Sequence, residues 1–100
     1  MIIKNEEKQI KEQTENYIVY DYKVGSLQTG LNTYEIHGRM PEKNYMITRK
    51  SDRVFIVMEG TGVSYVDGIA RTVDKGDVVL VTTGAKFYFE GYMTLAGLKK

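Results

Sequence analysis

The stretch Arg53-Val-Phe-Ile-Val-Met-Glu-Gly-Thr-Gly-Val-Ser-Tyr-Val-Asp-Gly68, closed by Lys75-Gly-Asp-Val-Val-Leu-Val-Thr-Thr-Gly84, decides the fold of this 100-residue chain. Val54 to Glu59 and Val78 to Val81 are short, nearly continuous apolar runs, as in buried strands. Gly60-Thr-Gly62 between them predicts a sharp corner. Asp67-Gly68, flanked by Val63 to Val66 and Ile69 to Val73, predicts a hairpin, because both central positions of a type I′ turn need positive φ. Asp74-Lys-Gly-Asp77 and Thr82-Thr-Gly84 read as further turns.

Outward from this stretch, short β-branched or aromatic runs recur with turn residues between them. Tyr17 to Lys23 ends before Gly25. Asn32 to Gly38 alternates, with Tyr34 and Ile36 on one face and Thr33, Glu35 and His37 on the other. Arg39-Met-Pro-Glu-Lys43 reads as a loop around the only proline, and Asn44 to Arg49 as a short strand followed by the turn Lys50-Ser-Asp52. Lys86 to Glu90 and Tyr92 to Leu98 complete the set. Residues 1 to 16 are charged and polar, with Ile2, Ile3 and Ile10 as the large apolar groups, and read as a short N-terminal arm, mobile or an edge segment. The expectation is an all-β single domain: arm 1–16, barrel 17–100.

Composition excludes several function classes. A net charge of +1 gives no electrostatic case for nucleic acid. There is no cysteine, hence no thiolate site or disulfide. No apolar run is long enough for a membrane helix, and the N-terminus lacks the core of a signal peptide, which leaves the cytoplasm as the expected location. Eight tyrosines without a tryptophan suit half-buried strands and pocket walls.

The glycine framework Arg53-x-Phe-Ile-Val-Met-Glu-Gly-x-Gly, Val-Asp-Gly and Gly-Asp-Val-Val-Leu-Val-x-x-Gly resembles that of small single-domain cupins of the RmlC-like jelly-roll type, over about residues 32 to 98. The resemblance implies a jelly-roll β-barrel, often a homodimer, with a divalent metal held by two histidines and a glutamate from the first motif and a histidine from the second. Mapped onto this chain, the glutamate position falls on Arg53. The paired histidines fall on Met46 and Thr48, or on Ile47 and Arg49, and the last histidine falls on Phe87. None of these is a usual ligand, and a guanidinium at Arg53 repels a cation. With one histidine in the chain, His37, a multi-histidine site cannot form within it. No metal and no cofactor are expected.

Strand parity puts Arg53, Phe55 and Val57 on one face, and Phe87 and Phe89 on one face of theirs, giving an aromatic interior with an arginine near the mouth. Such an arginine can receive a carboxylate, a phosphate or sugar hydroxyls. The candidate ligand-binding set is Arg53, Thr48, Met46, Phe87, Tyr34 and Tyr45, and the ligand a carbohydrate or carboxylate-like small molecule. Arg53 can equally pair with Asp52, Glu59 or Glu90 and support the barrel, and the phenylalanines can be plain core. His37, beside Glu35 and Arg39, is a candidate general base for a metal-independent sugar isomerase or epimerase, helped by Tyr34 or Tyr45. The same alternation allows His37 to sit in solvent. Three readings follow: a metal-free barrel that binds a small polar or anionic molecule or serves as an accessory or sensory module, a metal-independent enzyme using His37 as base, or a degenerate structural dimer partner without ligand.

Overall fold

A computed structural model describes residues 1–24 and 26–99. The turn expected at Gly25 lies outside the described residues. After a single 3₁₀ turn, Asn5–Glu7, the chain forms eight strands: β1 Gln9–Gln13, β2 Tyr17–Val24, β3 Leu27–Met40, β4 Met46–Ile47, β5 Arg53–Val66, β6 Ile69–Asp74, β7 Val78–Val81 and β8 Lys86–Lys99. All pairings are antiparallel, in the order β1-β2-β3-β8-β5-β6, with β4 added on β8 and β7 on β5. This is a cupin-type jelly-roll barrel.

The barrel closes because β5 and β8 are long and bent, and each serves both layers. The first half of β5 pairs with β7 and the second half of β8; its second half pairs with β6 and the first half of β8. The strands predicted at Val54–Glu59 and Val63–Val66 are therefore one strand, as are Lys86–Glu90 and Tyr92–Leu98. The expected corner at Gly60-Thr-Gly62 is a bend inside β5. There Gly62 lies opposite Gly91 of β8, which lies opposite Gly38 of β3. A Cβ on Gly91 would sit 2.6 Å from the Gly62 Cα, so backbone meets backbone across the fold line and side chains are excluded.

A β-bulge between Val57 and Glu59 precedes the bend. Before it Phe55 and Val57 face inward; after it Ser64 does. The extra residue thus reverses the inward parity of β5. The Asp67-Gly68 hairpin has the expected geometry, with φ of 48° and 82°. The strand expected over Asn44–Arg49 shrinks to Met46–Ile47, because Thr48 turns away to bond Ala85 O and Gly84 N. Arg39 and Met40, expected in a loop, extend β3. Residues 9–13 of the N-terminal segment form the edge strand β1, every residue of which is exposed.

The core lies between the layers. Phe55, Phe87, Phe89, Tyr34, Leu95, Val57 and Ile36 are all at most 2% exposed. Phe55 packs on Phe89 at 5.0 Å, on Phe87 at 5.5 Å and on Tyr34 at 5.6 Å between ring centroids. Among the described residues no helix is long and apolar enough to cross a membrane.

Candidate anion-binding mouth

The jelly roll leaves Arg53 at the start of β5, directly opposite Val81 of β7 and Lys99 of β8. Alternation from Phe55 turns it toward the barrel axis. Its Nη2 donates a hydrogen bond to the Tyr34 hydroxyl, and its guanidinium lies 5.1 Å from the centroid of the Phe55 ring. Its Nε is a buried side-chain nitrogen with no hydrogen-bond partner among the described residues. Neither ion pair among those residues, Lys23–Asp21 or Lys75–Glu59, involves it.

More positive charge stands around it. Period-two alternation from Leu95 through Gly97 carries Lys99 onto the same inner side. The Lys99 ammonium is held below the usual lysine range, first by Lys11, then by burial and by Arg53, with Asp21 opposing. Burial pushes the Tyr34 hydroxyl above the usual phenol range, and the Arg53 charge and hydrogen bond counter part of that rise. Asn32, also buried, sits on β3 opposite Gly97 and is anchored by Nδ2 donating to Tyr20 O at 2.9 Å. The mouth is thus a polar, net-positive rim over an aromatic floor.

The remaining sequence-derived candidates lie apart. Phe87 is core. Met46, paired with Phe87, packs against that core from β4. Thr48 is buried, with its hydroxyl donated to Thr82 O at 2.6 Å. Tyr45 is exposed on the outside, under the Lys86 ammonium at 4.8 Å. His37 is exposed on the outer face of β3, its ring edge-on to Tyr92 at 6.4 Å. It borders a shallow surface hollow with Glu59, Tyr92 and Thr94, separate from Tyr34 and Arg53. The grouping of His37 with Tyr34 is therefore corrected: the two have opposite parity on β3, so His37 faces out and Tyr34 lies in the core. Asp52, one of the local acids considered for Arg53, accepts the backbone and hydroxyl protons of Thr83. Sequence reasoning missed Lys99 and Lys11. Counting by twos from Leu95 finds the first; nothing in the polar N-terminal segment signals the second.

The positions that the resemblance assigns to metal ligands hold Met46, Thr48, Arg53 and Phe87. A thioether, a hydroxyl already donated to a carbonyl, a guanidinium and a phenyl ring do not make a divalent-metal site. Among the described residues no three His, Cys, Asp or Glu side chains converge on a point that would hold one.

Comparisons with known proteins support the fold. No protein-family model matches the sequence, and no curated protein matches it. Solved structures do match. The Drosophila melanogaster CENP-C cupin domain bound to CAL1 superposes with a TM-score of 0.80 at 9% identity, over 99% of this chain and 85% of that one. The Streptomyces nucleoside dehydratase Pac13, in a variant with uridine, gives 0.79 at 16% identity, over 99% and 81%. Hydroxypropylphosphonic acid epoxidase from S. wedmorenis gives 0.81 at 12% identity, over all of this chain and 59% of its own length. The chain therefore has the cupin fold, shared by proteins of unrelated activity.

Proposed function

We propose that this barrel is a metal-free binding module that takes a small anionic molecule, a carboxylate or phosphate, at the mouth around Arg53. The observation that carries this reading is the Arg53 guanidinium itself: half-buried, hydrogen-bonded to the Tyr34 hydroxyl, with an Nε–H that has no acceptor among the described residues. An unsatisfied buried donor costs about 1–3 kcal/mol, and a ligand oxygen would remove that cost through a charge-assisted bond. Lys99 and Lys11 add attraction for an anion. The close-packed phenylalanines below limit the ligand to the rim, so the floor contributes ring faces rather than depth.

Neighbours of the same fold support the size class: one is seen with uridine and another is named for a phosphonic acid substrate. The reading as an isomerase or epimerase with His37 as base finds less support, since His37 lies outside the barrel.

The test is titration of the protein with inorganic phosphate and with acetate, followed by backbone amide spectra. The expected result is saturable shifts at Val54, Gly97 and Lys99, lost in Arg53→Gln. Shifts that are absent, or that survive in Arg53→Gln, overturn the reading.

A further inference from the structure

The jelly roll has an open side between β6 and β7. Strand β6 ends the sheet order, and β7 pairs only with the first half of β5 among the described residues, so each keeps one unpaired edge. A cavity of about 620 Å³ lies between the two strands, a volume typical of small-molecule sites. Val66, Val73 and Val79 give it an apolar wall, of which Val73 and Val79 are buried. Neither Arg53 nor Tyr34 lines it, nor does Met46, Thr48 or Phe87.

The bulge in β5 sets the chemistry of this cavity. By reversing parity it turns Ser64 inward, opposite Phe89 of β8. Ser64 lines the cavity and is 5% exposed, yet its hydroxyl makes no hydrogen bond among the described residues. A buried hydroxyl without a partner is unfavourable, and alanine would fill the same place without that cost. On its other side Ser64 lies opposite Arg71 of β6. Direct cross-strand partners share a face, so Arg71 stands on the inner side of β6, between Ile69 and Val73. It is exposed at the cavity mouth and has no ion pair or hydrogen bond among the described residues. An inward charge on an edge strand also hinders edge-to-edge pairing, but that role needs neither a cavity nor a free hydroxyl beside it. Two acids border the space. Asp67 Oδ1 accepts the Lys86 N–H at 2.9 Å, and Asp77 Oδ2 accepts the Asp74 N–H at 2.8 Å.

We propose that this cavity binds a small monocarboxylate with an apolar body, the carboxylate held by the Arg71 guanidinium and the Ser64 hydroxyl, the body against Val66, Val73 and Val79. The guanidinium fork matches the two oxygens of a carboxylate, and the serine can donate to the same group. The valines favour hydrocarbon over water. Asp67 and Asp77 place two negative charges near the single positive one, so a multiply charged phosphate is disfavoured here. The mouth around Arg53, surrounded by lysines, has the opposite preference. The two sites share no lining residue, and this inference stands or falls without the reading of Arg53.

Titration of the full chain with hexanoate, followed by backbone amide spectra, tests it. The expected result is saturable shifts at Ser64, Arg71 and Val79, with a dissociation constant on the order of 1 mM. Hexanoate should bind about 10-fold or more tighter than acetate, which lacks the body, and than hexanamide, which lacks the charge. Arg71→Gln should weaken hexanoate by about 10-fold or more and Ser64→Ala by about 3-fold or more, with unchanged far-UV circular dichroism. Arg53→Gln should leave it unchanged. The comparison of hexanoate with hexanamide and acetate uses the unsubstituted chain, so it decides the matter even where a variant fails to fold. Absence of saturable shifts up to about 10 mM overturns the inference. So does equal binding of hexanamide, or an Arg71→Gln protein that binds hexanoate as the parent does. Loss of hexanoate in Arg53→Gln in place of Arg71→Gln assigns the carboxylate to the other mouth and overturns it too.

Discussion

On the outside of the layer that carries β6, Arg39 lies 4.0 Å from the centroid of Tyr88, and Tyr88 stacks on Tyr65 at 4.1 Å with 14° between planes. Lys86 covers Tyr45. On the outside of the other layer, Val54 is half-buried within the sheet, and Ile56, Met58, Val78 and Leu80 are exposed. Both surfaces are largely built from hydrophobic side chains, yet one supplies its own cover from the same chain. Amphipathic tyrosines tolerate water at the hydroxyl and accept cations on the ring face, so that surface is finished as a monomer. Aliphatic side chains have no such recourse, and their surface stays largely bare.

Substitutions can break or sharpen this contrast. The largest effect should come where the two layers part. Gly91→Val would drive side-chain atoms into the backbone of β5 at a position with φ of 142°, and the expected outcome is loss of the folded state by circular dichroism. Next, Phe55→Ala removes the ring at the centre of the aromatic cluster and should cost about 3–5 kcal/mol in urea unfolding, whichever outer face is covered. On the finished face, Arg39→Ala should cost about 1–2 kcal/mol, since it removes a cation from the half-buried Tyr88 ring and two hydrogen bonds, to Pro41 O and Asn44 O. Ile56→Thr, on the bare face, should cost less than about 1 kcal/mol, because the side chain is 38% exposed and leaves no closed cavity.

The smallest effect is one of pH. Burial, then the hydrogen bond to Glu12, pushes the Tyr17 hydroxyl from 10.0 up to about 12. The folded state therefore keeps this proton where the unfolded chain loses it. Its contribution is complete below about pH 10 and disappears as pH rises toward 12. Tyr17→Phe should flatten the fall of melting temperature across that window.

How much of this the sequence disclosed follows from what each signal encodes. Val78–Val81 and the Asp67-Gly68 hairpin were legible to the residue, because burial and positive φ impose local composition. The continuity of β5 and β8 was not: a glycine has the same appearance at a turn between strands and at a bend within one. The bulge at Met58 was invisible for a related reason, since Val-Met-Glu reads alike with or without a slipped residue. Strand β1 gave no pattern, as its side chains are all exposed and its pairing rests on backbone bonds. At the mouth, parity alone brought Arg53 toward the interior, where it meets Tyr34. Lys99 needed the additional knowledge that Lys86–Lys99 is one unbroken strand. The misplacement of Tyr45 arose from assigning it to a strand that begins one residue later.

The place of β8 in the sheet has a consequence for how the molecule is made. It follows every other strand in sequence, yet it lies between β3 and β5 and also holds β4. During synthesis, β3 and β5 emerge with no partner between them, so neither layer can be completed until Lys86–Lys99 has left the ribosome. Until then the nascent chain exposes two long unpaired edges and the aliphatic residues of β5 at once, and closure comes as a single late event rather than strand by strand.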